Sequence, residues 1–326
     1  MIEATHWHPV ALLDDVAHQP LAVMLLGQPL VLWRDATSQV HAWADQCPHR
    51  GAKLSLGRVH GGVLECPYHG WQFEASGRCV HVPALPAFTP PHTHCARTHL
   101  AYEAYGLIWV KLAAGDVDTA LPAFAAEHDS QLRKLNCGPY DVATSAPRLV
   151  ENFLDMAHFG FVHEGWLGAR DTTAITDYQV QSTRQGLFAT QCKAWQPQSS
   201  VSAKGPTLVE YTYEVTAPYC AVLTKIPDAQ NVQENFHDSI ALFVCPLTPE
   251  TSRVWFRLAV ADFASSDDKL RAFQDTIFMQ DKPILESQSP QRLPLDLRAE
   301  LHTTADKASS LYRRHLKNLG VTFGVC

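Results

Sequence analysis

The sequence predicts an α+β protein with two domains. A small antiparallel β domain spans residues 1–114, and a larger domain spans 115–326, with helices surrounding a second antiparallel sheet. Three observations predict this. The 326 residues exceed one ordinary domain, at about 100–200 residues each. Short apolar runs bounded by Gly, Pro, Asp and Ser fill the first part of the chain, and a second set of strand-like runs lies between 178 and 261. Helical spacing flanks that second set on both sides.

In chain order, Leu21–Leu26 is a strand, closed by the turn signal Gly27-Gln28-Pro29. Leu30–Arg34 follows, then the turn Asp35–Gln39, then the strand Val40–Trp43. Gly61-Gly62 and Ser76-Gly77 mark further turns, and Tyr105–Leu112 reads as a buried strand. Pro83–Pro91 holds four prolines, which excludes helix and central strand and leaves a covering loop. His92 and His94 beyond it read as solvated. Ala113–Asp116, small and polar after a strand, marks the domain boundary.

In the second domain, Asn152, Asp155 and His158 recur at i, i+3, i+6 and lie along one face of a helix. His163, five residues on, points away unless the helix loosens, and Gly160 is where loosening is expected. Tyr178–Thr183 and Leu187–Trp195 flank an Arg-Gln-Gly turn. Leu208–Thr216, Ala221–Ile226, Ser239–Cys245 and Val254–Ala261 complete the sheet. Trp166, Phe236 and Trp255 read as core. Asp267–Phe278 has helical apolar spacing at Leu270, Phe273, Ile277 and Phe278, and Pro283 is expected to disturb that helix just past Asp281. Asp306–Leu319, ending at Gly320, is a terminal helix with a glycine stop.

Composition bounds the function. Hydrophobic residues make up 46% and charged residues 18%, as in a globular protein with a real core. The net charge of −7 and the lack of a Lys/Arg run argue against nucleic acid as partner. No apolar stretch is long enough to span a membrane, and the N-terminus lacks a secretory signal. Seven of the nine cysteines, Cys79, Cys95, Cys137, Cys192, Cys220, Cys245 and Cys326, are scattered without a pairing pattern and read as reduced thiols, so the expected compartment is the cytoplasm.

Two stretches carry the chemistry. Cys47-Pro-His49-Arg50 and Cys66-Pro-Tyr-His69-Gly-Trp71 give C-x-H, sixteen residues, then C-x-x-H. Each arm offers one Cys and one His. A Rieske [2Fe–2S] centre needs two cysteines on one iron and two histidines on the other, which two mixed arms deliver. The competing reading is a Cys₂His₂ zinc site, but zinc fingers usually pair like ligands, which these arms do not. The second stretch is Glu151–His163. Its bland reading is an amphipathic helix with surface histidines. Beside an electron donor, however, His158 and His163 invite a third, acidic ligand, completing a two-histidine, one-carboxylate iron site. Asp281 and Glu286 are the rivals for that place, and spacing alone does not choose between them.

Over nearly its whole length the chain resembles the α subunits of Rieske non-haem iron oxygenases. The motifs are CPHRGAKLSLG, CPYHGWQF, N-x-x-D-x-x-H-x₄-H and the later Asp281-Lys-Pro-Ile with its trailing Gln288. The resemblance implies that Cys47, His49, Cys66 and His69 bind the cluster, and that His158, His163 and Asp281 bind mononuclear Fe(II). It implies that Asp155 bridges His158 to a cluster histidine, His69, of a neighbouring subunit, and that Asn152 lies close to the iron. A homotrimer follows, with O₂ as co-substrate and NADH electrons delivered by a separate reductase or ferredoxin. The chain lacks a G-x-G-x-x-G dinucleotide fingerprint of its own.

Local likenesses divide. His163–Arg170 and the tail Tyr312–Cys326 resemble the oxygenases of saxitoxin biosynthesis, whereas His8–Val10, Pro20–Val23 and Ala52–Gly57 resemble caffeine- and vanillate-type demethylases. The expectation is hydroxylation of a C–H bond in a small cyclic, N-containing or aromatic substrate. The alternative is oxidative N- or O-demethylation with release of formaldehyde. A third reading, from a different class, is a Rieske electron carrier without oxygenase activity.

Overall fold

The computed structural model describes residues 1–114, 120–226 and 238–326. The chain divides into two compact units, one of Ala4–Ala120 and one of Leu121–Cys326 with Met1–Glu3. Of the boundary expected at 113–116, Gly115 and Asp116 lie outside the described residues, as does Phe236.

The smaller unit is built from β1 (His8–Leu12), β2 (Leu21–Leu25), β3 (Gln28–Arg34), β4 (Val40–Ala44), β5 (Arg58–His60), β6 (Val63–Glu65), β7 (Gln72–Phe73), β8 (Cys79–His81), β9 (Thr98–Ala104) and β10 (Leu107–Lys111). Six strands form an antiparallel sheet in the order β1-β10-β9-β4-β3-β2, and four short ones form a second sheet, β5-β6-β7-β8. The expected strands stand where the apolar runs placed them. Trp33, Trp43, Leu54, Leu64 and Phe73 form one buried cluster with Cys47 and Cys66. The two tryptophans meet edge to face at 5.0 Å, a favoured aromatic geometry. Burying Phe73 fully contributes on the order of 3 kcal/mol, so the loops that follow β4 and β6 are anchored on a rigid base.

The larger unit contains β11 (Arg133–Val142), α1 (Ala146–Leu154), α2 (Phe159–Val162), β12 (Gln179–Ser182), β13 (Leu187–Gln196), β14 (Thr207–Ala217), β15 (Cys220–Ile226), β16 (Ser239–Thr248), β17 (Thr251–Val260), α3 (Asp267–Ser287) and α4 (Lys307–Leu319). Its sheet runs β11-β17-β16-β15-β14-β13-β12. Register sets one face. Tyr213 pairs with Leu223, Leu223 with Ile240 and Ile240 with Leu258, while Tyr211 pairs with Lys225. Because cross-strand partners share a side of the sheet, these residues make one wall.

Helix α3 carries a stripe at Leu270, Gln274, Ile277, Phe278, Asp281 and Leu285, all buried. Ser266 caps its start by accepting from the Lys269 amide, and Asp267 and Asp268 oppose the positive end of the helix dipole. The break expected at Pro283 does not occur, and the helix runs through to Ser287. Proline removes the bond to the Met279 carbonyl, and Met279 lies on the exposed side of the helix. Helix α4 ends as expected on Gly320, whose φ of 80° is left-handed. Among the described residues no helix is long and apolar enough to cross a membrane.

Candidate metal centres and substrate pocket

The two Cys/His loops are the same turn used twice. In each, the Cys amide donates to a carbonyl five residues on, Cys47 to Ala52 at 2.8 Å and Cys66 to Trp71 at 2.8 Å. In each, a glycine four residues on donates back to the Cys carbonyl, Gly51 at 2.9 Å and Gly70 at 3.1 Å. Both glycines have positive φ, 72° and 69°, which other residues rarely adopt. The shared spelling C-P-x-x-G is the sequence signal for this repeat. Histidine stands third in the first loop and fourth in the second, so the thiols are presented alike while the imidazoles approach from different positions.

Cys47 and Cys66 are buried. Burial pushes the Cys47 thiol up to about 11, and the adjoining Cys66 adds to the rise. The rings of His49 and His69 lie 4.6 Å apart. His49 Nδ1 is buried with no hydrogen-bond partner among the described residues, a lone pair left for something else. Two buried thiols and two imidazoles, one orphaned, fit the donor set of a Rieske cluster. Trp71 stacks on His49 at 4.4 Å and 5° and on His94 at 5.5 Å and 6°, so His94 closes a stack of three rings.

The second centre is drawn from two helices and a turn. Helix α1 ends at Leu154, and Asp155 is extended, with ψ 131°. The helix expected across Asn152–His158 therefore breaks at Asp155, not at Gly160. The cause is local. Asp155 Oδ1 accepts from the Ala157 amide at 2.7 Å, a side-chain-to-backbone bond that competes with the helix. Gly160 lies inside α2, and its role is close packing. A Cβ on Gly168 would sit 2.5 Å from the Gly160 nitrogen, and one on Gly160 would sit 2.9 Å from the Ala169 carbonyl oxygen.

This turn brings His158 and His163 together and faces them to Asp281 of α3. His158 Nε2 and His163 Nε2 are 3.2 Å apart. They lie 3.5 and 3.3 Å from Asp281 Oδ1. Both outer nitrogens are committed, His158 Nδ1 to Asp155 Oδ2 at 3.0 Å and His163 Nδ1 to Gln280 Oε1 at 2.9 Å. Each donates its proton outward, so both Nε2 atoms present lone pairs inward. Three acceptors facing one another at 3.2–3.5 Å repel unless a cation lies among them. Ligands at adjacent positions around a metal, with bonds of about 2.1 Å, stand about 3 Å apart. The triad fits one ion with open positions. Among the described residues it is also the group of three or more His, Cys, Asp or Glu gathered closely enough to hold one.

Glu286 is elsewhere, accepting from the Ala143 amide at 3.0 Å, so the structure gathers Asp281 and not its rival. Asn152 Nδ2 donates to Asp281 Oδ1 at 3.3 Å. Burial would lower the His158 pKa, but Asp155 and Asp281 outweigh it and raise it. Burial would likewise raise Asp155, but the His158 contact holds it low. Gln280 is the residue that sequence reasoning passed over. It precedes Asp281 directly, and nothing in its local sequence marks it, because its partner is 117 residues away.

The triad forms part of the wall of a cleft of about 710 Å³, open mouth included. Phe153, Phe273 and Phe278 line the helical side, and Tyr211, Tyr213, Leu223, Ile240 and Leu242 the sheet side. Asn152, Gln274 and Lys225 add polarity. Trp255 is core, as expected, and buried. The cleft suits a flat, largely apolar molecule.

Residues 6–99 match the family model described as Rieske [2Fe-2S] domain, and 142–322 the model described as vanillate O-demethylase oxygenase C-terminal domain. Methylxanthine N1-demethylase NdmA of Pseudomonas putida is 34% identical, over 96% of this chain and 88% of its own length. The solved structure of NdmA with caffeine, from Pseudomonas putida CBB5, superposes with a TM-score of 0.85 at 31% identity, covering 97% of this chain and 90% of that one. Oxidoreductase NdmD of Pseudomonas putida is 38% identical over 113 residues, 34% of this chain and 19% of NdmD.

Proposed function

Because the chain belongs to the Rieske non-haem iron oxygenases, we propose that it is an oxidative demethylase, removing a methyl from nitrogen or oxygen on a small ring compound. The enzyme is an oxidoreductase that uses a [2Fe–2S] cluster, mononuclear iron and O₂, with electrons from a separate oxidoreductase. Its full-length likeness to a methylxanthine demethylase is the observation that favours demethylation. The expected ranking, with hydroxylation first, is therefore reversed. The reaction consumes O₂, NADH and a proton per methyl and gives the demethylated compound, formaldehyde, water and NAD⁺.

Residues 1–114 receive electrons and 115–326 carry out the oxidation. When bound, the cluster supplies one-electron transfer and the mononuclear iron supplies O₂ activation. Cys47, Cys66, His49 and His69 hold the first, and His158, His163 and Asp281 the second. Asp155 and Gln280 hold the two imidazoles with Nε2 inward. Asn152 fixes the Asp281 carboxylate. The aromatic walls exclude water and hold the ring flat, leaving its methyl toward the triad. Asp155, with Oδ1 on the Ala157 amide and Oδ2 on His158, has a side chain still 28% exposed. In this reading it bridges His158 to His69 of the partner subunit within a trimer. The seven cysteines besides Cys47 and Cys66, none of them in a disulfide, support a reducing, cytoplasmic location.

The test is turnover with NADH, a surrogate reductase and O₂ on a panel of N- and O-methylated ring compounds. Formaldehyde with loss of a methyl is expected. Products heavier by one oxygen, without formaldehyde, make the enzyme a hydroxylase.

A further inference from the structure

The sheet wall of the cleft carries one feature that an apolar ring does not need. Lys225, near the end of β15 and across from Tyr211, lines the cleft. It is the only lysine or arginine among the described lining residues. An ammonium has three donors. One goes to the Ser199 carbonyl at 2.5 Å, and among the described residues Lys225 forms no ion pair. Asp238, whose carbonyl accepts from the Lys225 amide at 2.8 Å, attracts the ammonium only through space. Burial raises the Asp238 carboxyl above its ordinary value, which weakens it as a counter-ion. Burial also lowers the Lys225 pKa. A half-buried ammonium that has no paired anion among the described residues is costly, and a ligand that brings a negative charge recovers part of that cost.

We propose that Lys225 is a specificity-determining residue that receives an anionic group of the substrate, so that the enzyme acts on methylated aromatic or heteroaromatic acids in preference to their neutral counterparts. The inference rests on the reading of the cleft as the demethylation pocket. It assigns division of labour between the walls, with the helical wall holding the metal and the sheet wall selecting charge. Phe153, Phe256 and the paired tyrosines would grip the ring between them.

The test uses the holoenzyme and a panel of paired probes. Each pair is a free acid and its carboxamide on the same one- or two-ring N- or O-methylated scaffold, such as 3-methoxybenzoate with 3-methoxybenzamide. Binding is read by calorimetry without reductant, so no turnover is required. The acids are expected to bind about 10- to 100-fold more tightly than their amides, the worth of one charge-assisted contact. Lys225→Met should abolish that ratio by weakening the acids, and Lys225→Arg should retain most of it. Amides that bind as well as acids, a ratio that survives in Lys225→Met, or no binding by any probe would each overturn the inference. Formaldehyde is measured separately on the same panel. Acids that bind preferentially but gain oxygen without releasing formaldehyde would sink demethylation and leave the role of Lys225 standing. Formaldehyde from amides and acids alike would do the reverse.

Discussion

Gln280 and Asp155 do the same work on different histidines. Each takes the outer proton of one imidazole and so turns Nε2 inward. Gln280→Leu removes the acceptor from His163 and should weaken iron binding about 10- to 100-fold, whereas Gln280→Glu should keep it. Iron titration of the two variants decides this. His163→Ala removes a ligand outright. Metal analysis should then fall from about three irons per chain to about two, with the visible spectrum of the cluster unchanged. If both signals fell together, the assignment of the triad would be wrong. At this scale the sequence was informative wherever ligand types recurred at short spacing, as at Cys47, His49, His158 and His163. It left Asp281 and Glu286 undecided, because only the folded helix shows that Glu286 is bound to Ala143. Gln280 was illegible, since an amide gains meaning from its partner and not from its neighbours.

The elements succeed or fail on backbone chemistry. Periodicity located the strands and the starts of helices well, because burial of one face drives both. It misjudged two endings. Asp155 breaks α1 through its own side chain, a competition that apolar spacing does not register. Pro283 leaves α3 whole because the lost bond falls on the wet side. The turn after α1 also depends on the near contact of Gly160 and Gly168. Gly168→Ala should cost about 1–3 kcal/mol, measured as a lowered unfolding midpoint, with iron loss preceding loss of the cluster. A different bond ties α1 to α4. Arg148 and Arg313 converge on Glu300. Burial would raise that carboxyl, but the two guanidiniums bring it down from 4.5 to about 2. A depressed carboxylate stabilises the fold above its ordinary pKa, and that share is lost as pH falls toward 2. Glu300→Gln should thus be less stable than the parent at neutral pH, and the gap should close through the acid range in denaturant melts taken at stepped pH.

For the whole molecule, the decisive question is whether electrons pass within one chain or between chains. If Asp155 joins neighbours, a cluster-deficient variant (Cys47→Ser) and an iron-deficient variant (His163→Ala) are each inactive alone, yet regain turnover when co-assembled. Mixed oligomers would then place an intact cluster beside an intact iron. No recovery in verified mixed oligomers would confine transfer to one chain. The two-domain plan was legible because each unit has its own strand grammar and its own metal motif. The reaction was less so, because hydroxylation and demethylation share every metal ligand and differ only in where the substrate carries its methyl.

The stack of Trp71 between His49 and His94 gives the protein its own optical gauge. An indole pressed against a ligand of a coloured centre loses its emission to that centre when the centre is present, and brightens when it is gone. Trp33, Trp43 and Trp109 of the smaller unit are fully buried, whereas Trp71 is not. The difference in fluorescence between the parent and Trp71→Phe would therefore follow loading, loss and repair of the cluster in real time in the pure protein, without adding a dye.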